Sequence, residues 1–469
     1  MSRLARLPPW FRLMLVLLAL LAVLRGLAVV AHRPLLAFAN NFDQIRYTTC
    51  VDLAPWRPGV PAERAHPQAP LSRYAFQSSP VACVLTSDLL FTAPLALAWK
   101  MSEALGARAI HSVRRLGELR LLAWWLVALW ATRELLRADR PDVALAHLAW
   151  FALVGMDPAN VLYFSTFYAE AAALFGFYLC SAGTLVALFR PTRTALALTA
   201  LGALLLASAK FQHLLLPLLL GVAVLATADR AGRRVAFALL LGGTLGCAMQ
   251  IGDALRPTQV ARDIATVNRA DFVLTILLPE TDHRAQVVAA LQLEEACVAY
   301  SGKSVYVMPQ PVEQICSHVN AWPRLLPWAL LLRDPAALAR ALLHVPSHLL
   351  PWLPADELGV VEGANYALLP QTVPTLSTAL GARRSVAAAL LLLPWLVFGI
   401  ASVRRAACAT RAFALFCAVG AASVALVALF GDGDVEYAKH AQLTVAFALA
   451  SLGVPFAAAV RRGITRRSA

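Results

Sequence analysis

The chain has 469 residues, of which 59% are hydrophobic and only 14% charged, and its formal net charge is +14. A soluble globular domain is nearer to about 45–50% apolar with roughly a quarter of its residues charged, so the composition excludes a purely soluble protein. The arginines lie in short clusters between apolar stretches. This pattern is typical of the cytoplasmic loops of membrane proteins, and it argues against nucleic acid as a partner.

The N-terminus carries Arg3, Arg6 and Arg12 ahead of an apolar stretch at residues 13–31. The arrangement is similar to a secretory signal peptide. However, the stretch is longer than the roughly 7–15 residues of a signal-peptide core, and it contains Arg25. We therefore expect an uncleaved first membrane-spanning helix.

Ten apolar stretches are close to the length that a helix needs to cross a bilayer, roughly 17–25 residues. They lie near residues 12–31, 118–137, 142–156, 160–188, 194–210, 213–228, 234–251, 386–402, 411–430 and 440–460. The basic connectors between them contain Arg133, Arg137, Arg140, Arg190, Arg193, Arg230, Arg233, Arg234, Arg404, Arg405 and Arg411, and the tail contains Arg461, Arg462, Arg466 and Arg467.

Residues 89–105 decide the topology. If this segment crossed the membrane, the basic connectors could not all lie on one side. Lys100 and Glu103 make it a poor span, since a charge at the bilayer centre costs roughly 2.5–3.5 kcal/mol. We predict that the segment lies in the interface, as amphipathic helices do. Ten spans then place both termini and every basic connector in the cytoplasm, which we expect to be that of a bacterium, with the protein in its plasma membrane.

The resulting fold class is an all-α polytopic membrane protein with three parts. Residues 1–251 form an N-terminal transmembrane module whose first outer loop, residues 32–117, contains interfacial helices. Residues 252–385 form a larger extracytoplasmic block, and residues 386–469 supply the C-terminal transmembrane helices.

The cysteines fit this division. Cys50 and Cys83 fall in the first outer loop, and Cys297 and Cys316 fall in the outer block. An even pair in each block on the oxidising side suggests two disulfides, with four unpaired thiols as the alternative.

The first candidate for chemistry follows the first span and contains Asp43 and Arg46. A carboxylate there could act as a general base toward a sugar hydroxyl, and an arginine could bind a phosphate or orient the acid. The alternative is a polar cap at a helix end in a hydrated loop.

Two further acids, Asp157 and Glu170, follow the third predicted span. An acid at membrane depth is costly and is either functional or paired. Asp157 is a second candidate for catalysis, and Glu170 is a candidate for substrate binding. A structural ion pair with Lys210 or Arg25 is the alternative.

The turn between the fifth and sixth predicted spans contains Lys210 and Gln212. A lysine in this turn could hold a lipid-linked phosphate at the membrane surface, or it could simply extend toward the headgroups.

The last candidate is the turn at residues 431–440, which contains Asp432, Glu436, Lys439 and His440. The lysine and histidine could bind phosphate oxygens, and the acids could bind a divalent cation through oxygen ligands. The spacing matches neither a calcium loop nor a zinc site, so we predict no metal-ligand set; a solvated turn is the plain alternative. The sequence contains no P-loop, GxSxG, HExxH or CxxC motif.

Taken together, these residues resemble the GT-C superfamily of membrane glycosyltransferases. In that fold an acid follows span one and interfacial helices precede span two, as Asp43 and residues 89–105 do here. The stretches at residues 268–279 and 300–303 are similar to bacterial hexosyltransferases of the S-layer and surface-polysaccharide kind. The first of them reads Asn-Arg-Ala-Asp-Phe where that group has an aromatic-Asn pair before the phenylalanine.

The resemblance implies transfer of a sugar, with a hexose favoured, from a polyprenyl-phosphate donor to a glycan or lipid-linked acceptor at the outer face. Membrane lipids would be the surrounding partners. A flippase or other transporter of lipid-linked sugars is the main alternative, followed by an O-antigen polymerase or ligase and by a non-catalytic scaffold.

Overall fold

The structure is a computed structural model. It describes residues 7–38, 41–56, 72–227, 229–256, 258–323, 325–349, 358–360, 367–368, 375–381 and 383–466. Within these ranges the chain is mainly helical, and the few strands form two small antiparallel sheets. The predicted all-α class holds apart from those sheets.

The first half of the chain runs from an N-terminal helix through a mixed loop region into a group of long helices. Its elements are α1 (Pro9–Val30), β1 (Leu36–Phe38), α2 (Asn41–Thr48), β2 (Leu53–Pro55), β3 (Arg73–Phe76), α3 (Leu89–Ala104), β4 (His111–Ser112), α4 (Arg114–Arg137), α5 (Pro141–Trp150, continued by a π-helical turn at Phe151–Gly155), α6 (Pro158–Val161), α7 (Ala169–Phe189), α8 (Arg193–Ala207), α9 (Leu216–Ala226) and α10 (Arg230–Ala254).

The second half begins with a block of short helices and ends with long ones. Its elements are α11 (Gln259–Asp271, followed by a π-helical segment at Phe272–Leu277), α12 (Leu278–Glu280), α13 (Arg284–Leu291), α14 (Glu295–Val298), α15 (Val312–Ile315), α16 (Leu326–Arg333), α17 (Pro335–His348), β5 (Leu358–Val360), β6 (Ala367–Leu368), α18 (Leu376–Leu380), α19 (Arg384–Val403), α20 (Cys408–Asp432), α21 (Tyr437–His440), α22 (Gln442–Ser451) and α23 (Gly453–Arg466).

Six helical segments among the described residues are long and apolar enough to cross a membrane. They are Pro9–Val30, Ala169–Phe189, Arg230–Ala254, Arg384–Val403, Cys408–Gly431 and Gln442–Ile464. Three shorter apolar helices, at Pro141–Gly155, Arg193–Ala207 and Phe211–Ala226, accompany them. The six long segments support the predicted membrane class, whereas the count of ten spans stays a prediction.

α7 is the central helix, since 94% of its apolar window is buried inside the protein. Small residues let its neighbours approach closely, as membrane helices commonly require. A Cβ atom added at Gly202 of α8 would overlap the backbone of Cys180 in α7. Glycine is therefore required at that crossing for steric reasons.

The helix-connecting regions fall into two groups, one at each end of the long helices. The polar end is the end of the helices at which Glu170, Lys210 and His440 meet. The arginine end is the opposite end, to which α7 runs from Ala169 to Phe189 and near which Arg140 packs on the Phe189 ring.

Both small sheets belong to the polar end. In one of them β1 pairs with β5, and β5 pairs with β6, all antiparallel. This sheet ties the segment after α1 to a segment more than 300 residues later in the chain, as the pairing of Leu36 with Val360 illustrates. In the other sheet, β3 lies between β2 and β4. Neither sheet was predicted, because strands of two to four residues leave no periodic pattern in a sequence.

α3 covers the segment that decided the predicted topology. It is a helix of 16 residues and is not one of the six long apolar segments. Lys100 of this helix pairs with Asp52, and the Glu103 carboxylate accepts a hydrogen bond from His111 Nε2, both within the same loop region. The helix therefore joins the loop region, while its location in a membrane interface stays a prediction.

Both suspected disulfides are present. Cys50 and Cys83 are bonded across 33 residues, and Cys297 and Cys316 are bonded across 19. The second bond lies inside a hydrophobic cluster that also contains Trp322 and residues of α20 and α22. The block at residues 252–349 is thus packed against the C-terminal helices rather than standing apart from them.

Candidate functional site

The centre of the polar end is a buried ion pair between Glu170 and Lys210. Glu170 lies in the first turn of α7, where the helix dipole favours a negative charge. Lys210 follows α8, and its Nζ atom donates a hydrogen bond of 2.6 Å to Glu170 Oε1. Only 7% of the Glu170 side chain and 16% of the Lys210 side chain are exposed, so little water screens the pair.

α21 brings a second lysine and a histidine to this pair. Lys210 Nζ lies 3.4 Å from His440 Nδ1. The neighbouring Lys439 pairs with Glu436 at 2.8 Å, and its Nζ atom lies 4.9 Å from the centre of the Tyr168 ring. Because the Lys439 side chain is only 1% exposed, both lysines hold their charge largely away from bulk water.

Gln212 fastens the two turns together. Its Nε2 atom donates to the backbone oxygen of His440 at 3.2 Å. The structure therefore unites three chain segments that the sequence analysis had singled out separately. The predicted residues that meet here are Glu170, Lys210, Gln212, Glu436, Lys439 and His440. We call this group the polar cluster; its role in substrate binding stays a prediction.

The electrostatics of the cluster keep Lys210 charged. Its Nζ atom donates to the Glu170 carboxylate, and this opposite charge favours the protonated form of the lysine. Lys210 is therefore a protonated donor at neutral pH. A buried, permanently charged ammonium group is suited to an anionic ligand, since its attraction is stronger in a low-dielectric environment.

α2, which carries Asp43, borders the polar cluster. The Oε1 atom of Gln44 accepts a hydrogen bond of 3.0 Å from the backbone nitrogen of Phe167, just before α7. Tyr47, one turn further along α2, lies close enough to Lys210 for an electrostatic interaction between the two side chains. The side chain of Asp43 itself lies outside the described atoms, and so does that of Asp432 at the end of α20.

Arg46 lies on the same short helix. Its guanidinium carbon is 5.6 Å from the centre of the Tyr47 ring, and its backbone oxygen accepts a hydrogen bond from Val84. Arg46 therefore belongs to the loop framework beside the cluster, and its contact with a phosphate stays a prediction.

The contacts of Asp157 serve to hold the fold together. Its carboxylate accepts hydrogen bonds from Arg25 at 2.7 Å, from the backbone nitrogen of Ala159 at 2.9 Å and from that of Leu376 at 2.8 Å. The residue is fully buried, and it caps α6. Asp157 thus forms the ion pair with Arg25 that was the predicted alternative. Its three contacts link α1, α6 and α18. Catalysis by Asp157 stays a prediction without support from these contacts.

A second buried ion pair was missed by the sequence analysis. Arg120 Nη2 contacts both carboxylate oxygens of Asp88, at 2.5 and 2.6 Å, and both residues are about 1% exposed. Arg120 Nη1 also donates to the backbone oxygens of Tyr163, Phe164 and Thr166. The pair therefore fixes the turn that leads into Tyr168 and Glu170. The signal available in the sequence was that Arg120 lies inside the predicted span at residues 118–137.

The described residues contain no group of three or more His, Cys, Asp or Glu side chains placed to hold a metal ion. Because the Asp432 side chain lies outside those residues, the divalent-cation alternative for that turn stays untested.

Comparison of the chain with protein-family models, with curated proteins and with solved structures returned no match. The function must therefore be inferred from the composition, the fold and the polar cluster.

Proposed function

We propose that the protein is a membrane glycosyltransferase of the GT-C type. In this proposal it has ten spans with both termini in the cytoplasm of a bacterium, and the polar end faces outward. It transfers a sugar, with a hexose favoured, from a polyprenyl-phosphate donor to a glycan or to a lipid-linked acceptor.

The observation that supports this proposal most strongly is the polar cluster. Lys210 and His440 are 230 positions apart in the chain, yet their side chains meet beside Glu170. Burying two lysines is costly, and the ion pairs with Glu170 and Glu436 offset part of that desolvation cost. A purely structural ion pair would need only one lysine. Two buried lysines at the end of the helices are suited to binding an anionic headgroup.

The chemistry then follows from the charges. The acceptor oxygen forms a bond to the anomeric carbon of the donor sugar, and the bond from that carbon to the phosphate oxygen breaks. The electron pair leaves with the polyprenyl phosphate, whose growing negative charge is stabilised by Lys210, Lys439 and His440. The proton of the acceptor hydroxyl passes to Asp43, which acts as the general base.

The remaining predicted residues take supporting roles in this proposal. Glu170 and Glu436 hold the two lysines in position, and Gln212 sets the distance between their turns. Arg46 orients the donor phosphate or Asp43. Asp157 is a positioning residue, because its carboxylate already accepts three hydrogen bonds.

The decisive experiment compares Asp43→Asn with Asp52→Asn in proteoliposomes that contain a labelled polyprenyl-phosphate sugar and a mixture of glycan acceptors. Asp52 is a matched control, since it lies on the same loop and 61% of its side chain is exposed in a pair with Lys100. Removing a general base lowers turnover by roughly 10²–10⁴-fold. We expect that loss for Asp43→Asn and unchanged turnover for Asp52→Asn.

Normal transfer by a folded Asp43→Asn variant would remove Asp43 from the catalytic role. Labelled donor that reaches the other leaflet chemically unchanged, with no transfer product, would instead indicate a transporter of lipid-linked sugars.

A further inference from the structure

A cavity of about 530 Å³ lies at the arginine end, remote from the polar cluster. Its walls come from α5 and α7 on one side and from α20, α22 and α23 on the other. Small-molecule sites have volumes of roughly 300–1,000 Å³ and are mostly apolar with a few polar groups. This cavity has that size, so it can hold a ligand rather than only a few waters.

The inner part of the cavity is apolar and aromatic. Trp150, Phe177 and Phe413 line it, and none of these side chains is exposed. The Ser181 hydroxyl, which also belongs to the lining, is buried and has no hydrogen-bond partner among the described residues. This surface suits a hydrocarbon chain, and the hydroxyl could contact an ester oxygen near its head.

The outer part of the cavity is strongly basic. Four arginines line it, against one carboxylate, that of Asp142. Arg140 pairs with Asp142 at 2.8 Å and lies 4.1 Å above the Phe189 ring. The other three, Arg404, Arg461 and Arg462, are solvent-exposed. Arginine is the side chain best suited to phosphate, because its planar group binds two oxygens at once.

From this combination we propose that the cavity binds an anionic phospholipid, with an acyl chain between α7 and α23 and the phosphate headgroup among Arg404, Arg461 and Arg462. Basic pockets between membrane helices are known to suit anionic headgroups on the cytoplasmic side. The proposed topology places the arginine end in that leaflet. The site is separate from the polar cluster, and its occupancy can be measured without any assay of sugar transfer.

The test uses the purified full chain, stripped of lipid in detergent, and measures bound lipid by native mass spectrometry. The probes are phosphatidylglycerol and phosphatidylcholine with identical acyl chains. We expect phosphatidylglycerol to bind at least tenfold more tightly, since each arginine near a headgroup contributes substantially to the attraction of anionic lipids.

Two variants and one matched control locate the binding. The combined variant Arg404→Gln, Arg461→Gln and Arg462→Gln should lose at least tenfold in affinity for phosphatidylglycerol. The control variant Arg230→Gln, Arg233→Gln and Arg234→Gln removes the same charge at the same end, from a surface groove between α8 and α10. It should bind phosphatidylglycerol as the unmodified protein does.

Gly453→Leu tests the apolar part without changing any charge. Gly453 lines the cavity, and a Cβ atom there has only Ala146 within 4 Å, at 3.8 Å, so a larger side chain can enter the open space. We expect a loss of affinity comparable to that of the combined arginine variant.

Three results would overturn the proposal. The first is an equal loss in the arginine variant and its control, which would indicate general attraction to the basic surface. The second is equal affinity for the two lipids. The third is tighter binding after deletion of residues 467–469, which would mean that the chain's own terminus fills the cavity.

Discussion

The polar end and the arginine end both concentrate charge, but they hold it differently. At the polar end the central charged side chains are buried and paired, as Lys210 with Glu170 and Arg120 with Asp88 illustrate. At the arginine end they are mostly exposed, and Arg137 and Arg190, which share Glu134, are 46% and 36% exposed. Buried pairs require fixed geometry, because an unmatched charge inside a protein is costly. Exposed arginines need only a polar surface.

The difference suggests a division of roles. The polar end has the ordered geometry that chemistry on a bound headgroup requires. The arginine end has the exposed basic charge that, in our proposals, sets orientation in the membrane and attracts anionic lipids.

The test with the largest expected effect asks on which side of the membrane each end lies, and its result is either labelling or no labelling. Cys408 lies at the start of α20, at the arginine end, and is the half-buried one among the free cysteines, while Cys180, Cys247 and Cys417 are buried. A membrane-impermeant maleimide added outside intact cells should leave Cys408 unlabelled, and permeabilised cells should show labelling. Labelling in intact cells would reverse the proposed orientation.

Asp88→Asn should give the largest loss of stability. Removing one partner of a buried ion pair costs roughly 3–5 kcal/mol, because the other charge is left without compensation. We expect a matching fall in the free energy of unfolding in detergent. The double variant Asp88→Asn with Arg120→Met should recover part of it, since no uncompensated charge is then buried. If the single variant were as stable as the unmodified protein, the pair would not anchor the turn before Tyr168.

Lys210→Met tests the polar cluster in the proposed reaction. Loss of one group that stabilises a developing negative charge lowers turnover by about 10²–10³-fold. Because Met would leave Glu170 buried without its partner, the double variant Glu170→Gln with Lys210→Met separates folding from chemistry. It should regain stability but not sugar transfer. Lys100→Met, at a lysine with 51% exposure, is the control and should transfer sugar normally. Full activity in the double variant would exclude Lys210 from donor binding.

Glu134→Gln should have the smallest effect. It removes the carboxylate that Arg137 and Arg190 share at the arginine end. The Glu134 side chain is only 11% exposed, but the amide of glutamine keeps its shape and both arginines can regain hydration, so we expect a loss of only about 1 kcal/mol in the free energy of unfolding. A loss as large as that for Asp88→Asn would mean that the two ends do not differ in how they hold charge.

Much of the molecule could be predicted from local sequence. The apolar stretches predicted the membrane class, and six of the corresponding helices are long and apolar enough to span a bilayer. The cysteines divided correctly into two bonded pairs, because each pair lies within one loop region. Glu170 was singled out because an acid at membrane depth is costly, and the other residues of the polar cluster because they gather charged and polar groups in the predicted turns between spans.

The function assigned to each acid could not be predicted in the same way. Asp157 and Glu170 both follow the third predicted span, but the Asp157 carboxylate accepts hydrogen bonds from Arg25 and two backbone nitrogens, whereas Glu170 faces Lys210 and His440. Asp88 was not among the predicted site residues, although its ion pair with Arg120 fixes the turn that leads into Glu170.

The sequence by itself determined where the chain is apolar, where it is charged and which polar groups lie in or next to the apolar stretches. Only the tertiary structure decided which of those groups meet. Arg25 and Asp157 are 132 positions apart, and Lys210 and His440 are 230 apart. Such contacts depend on how whole helices pack, and packing is fixed by the close fit of many distant surfaces rather than by any local pattern.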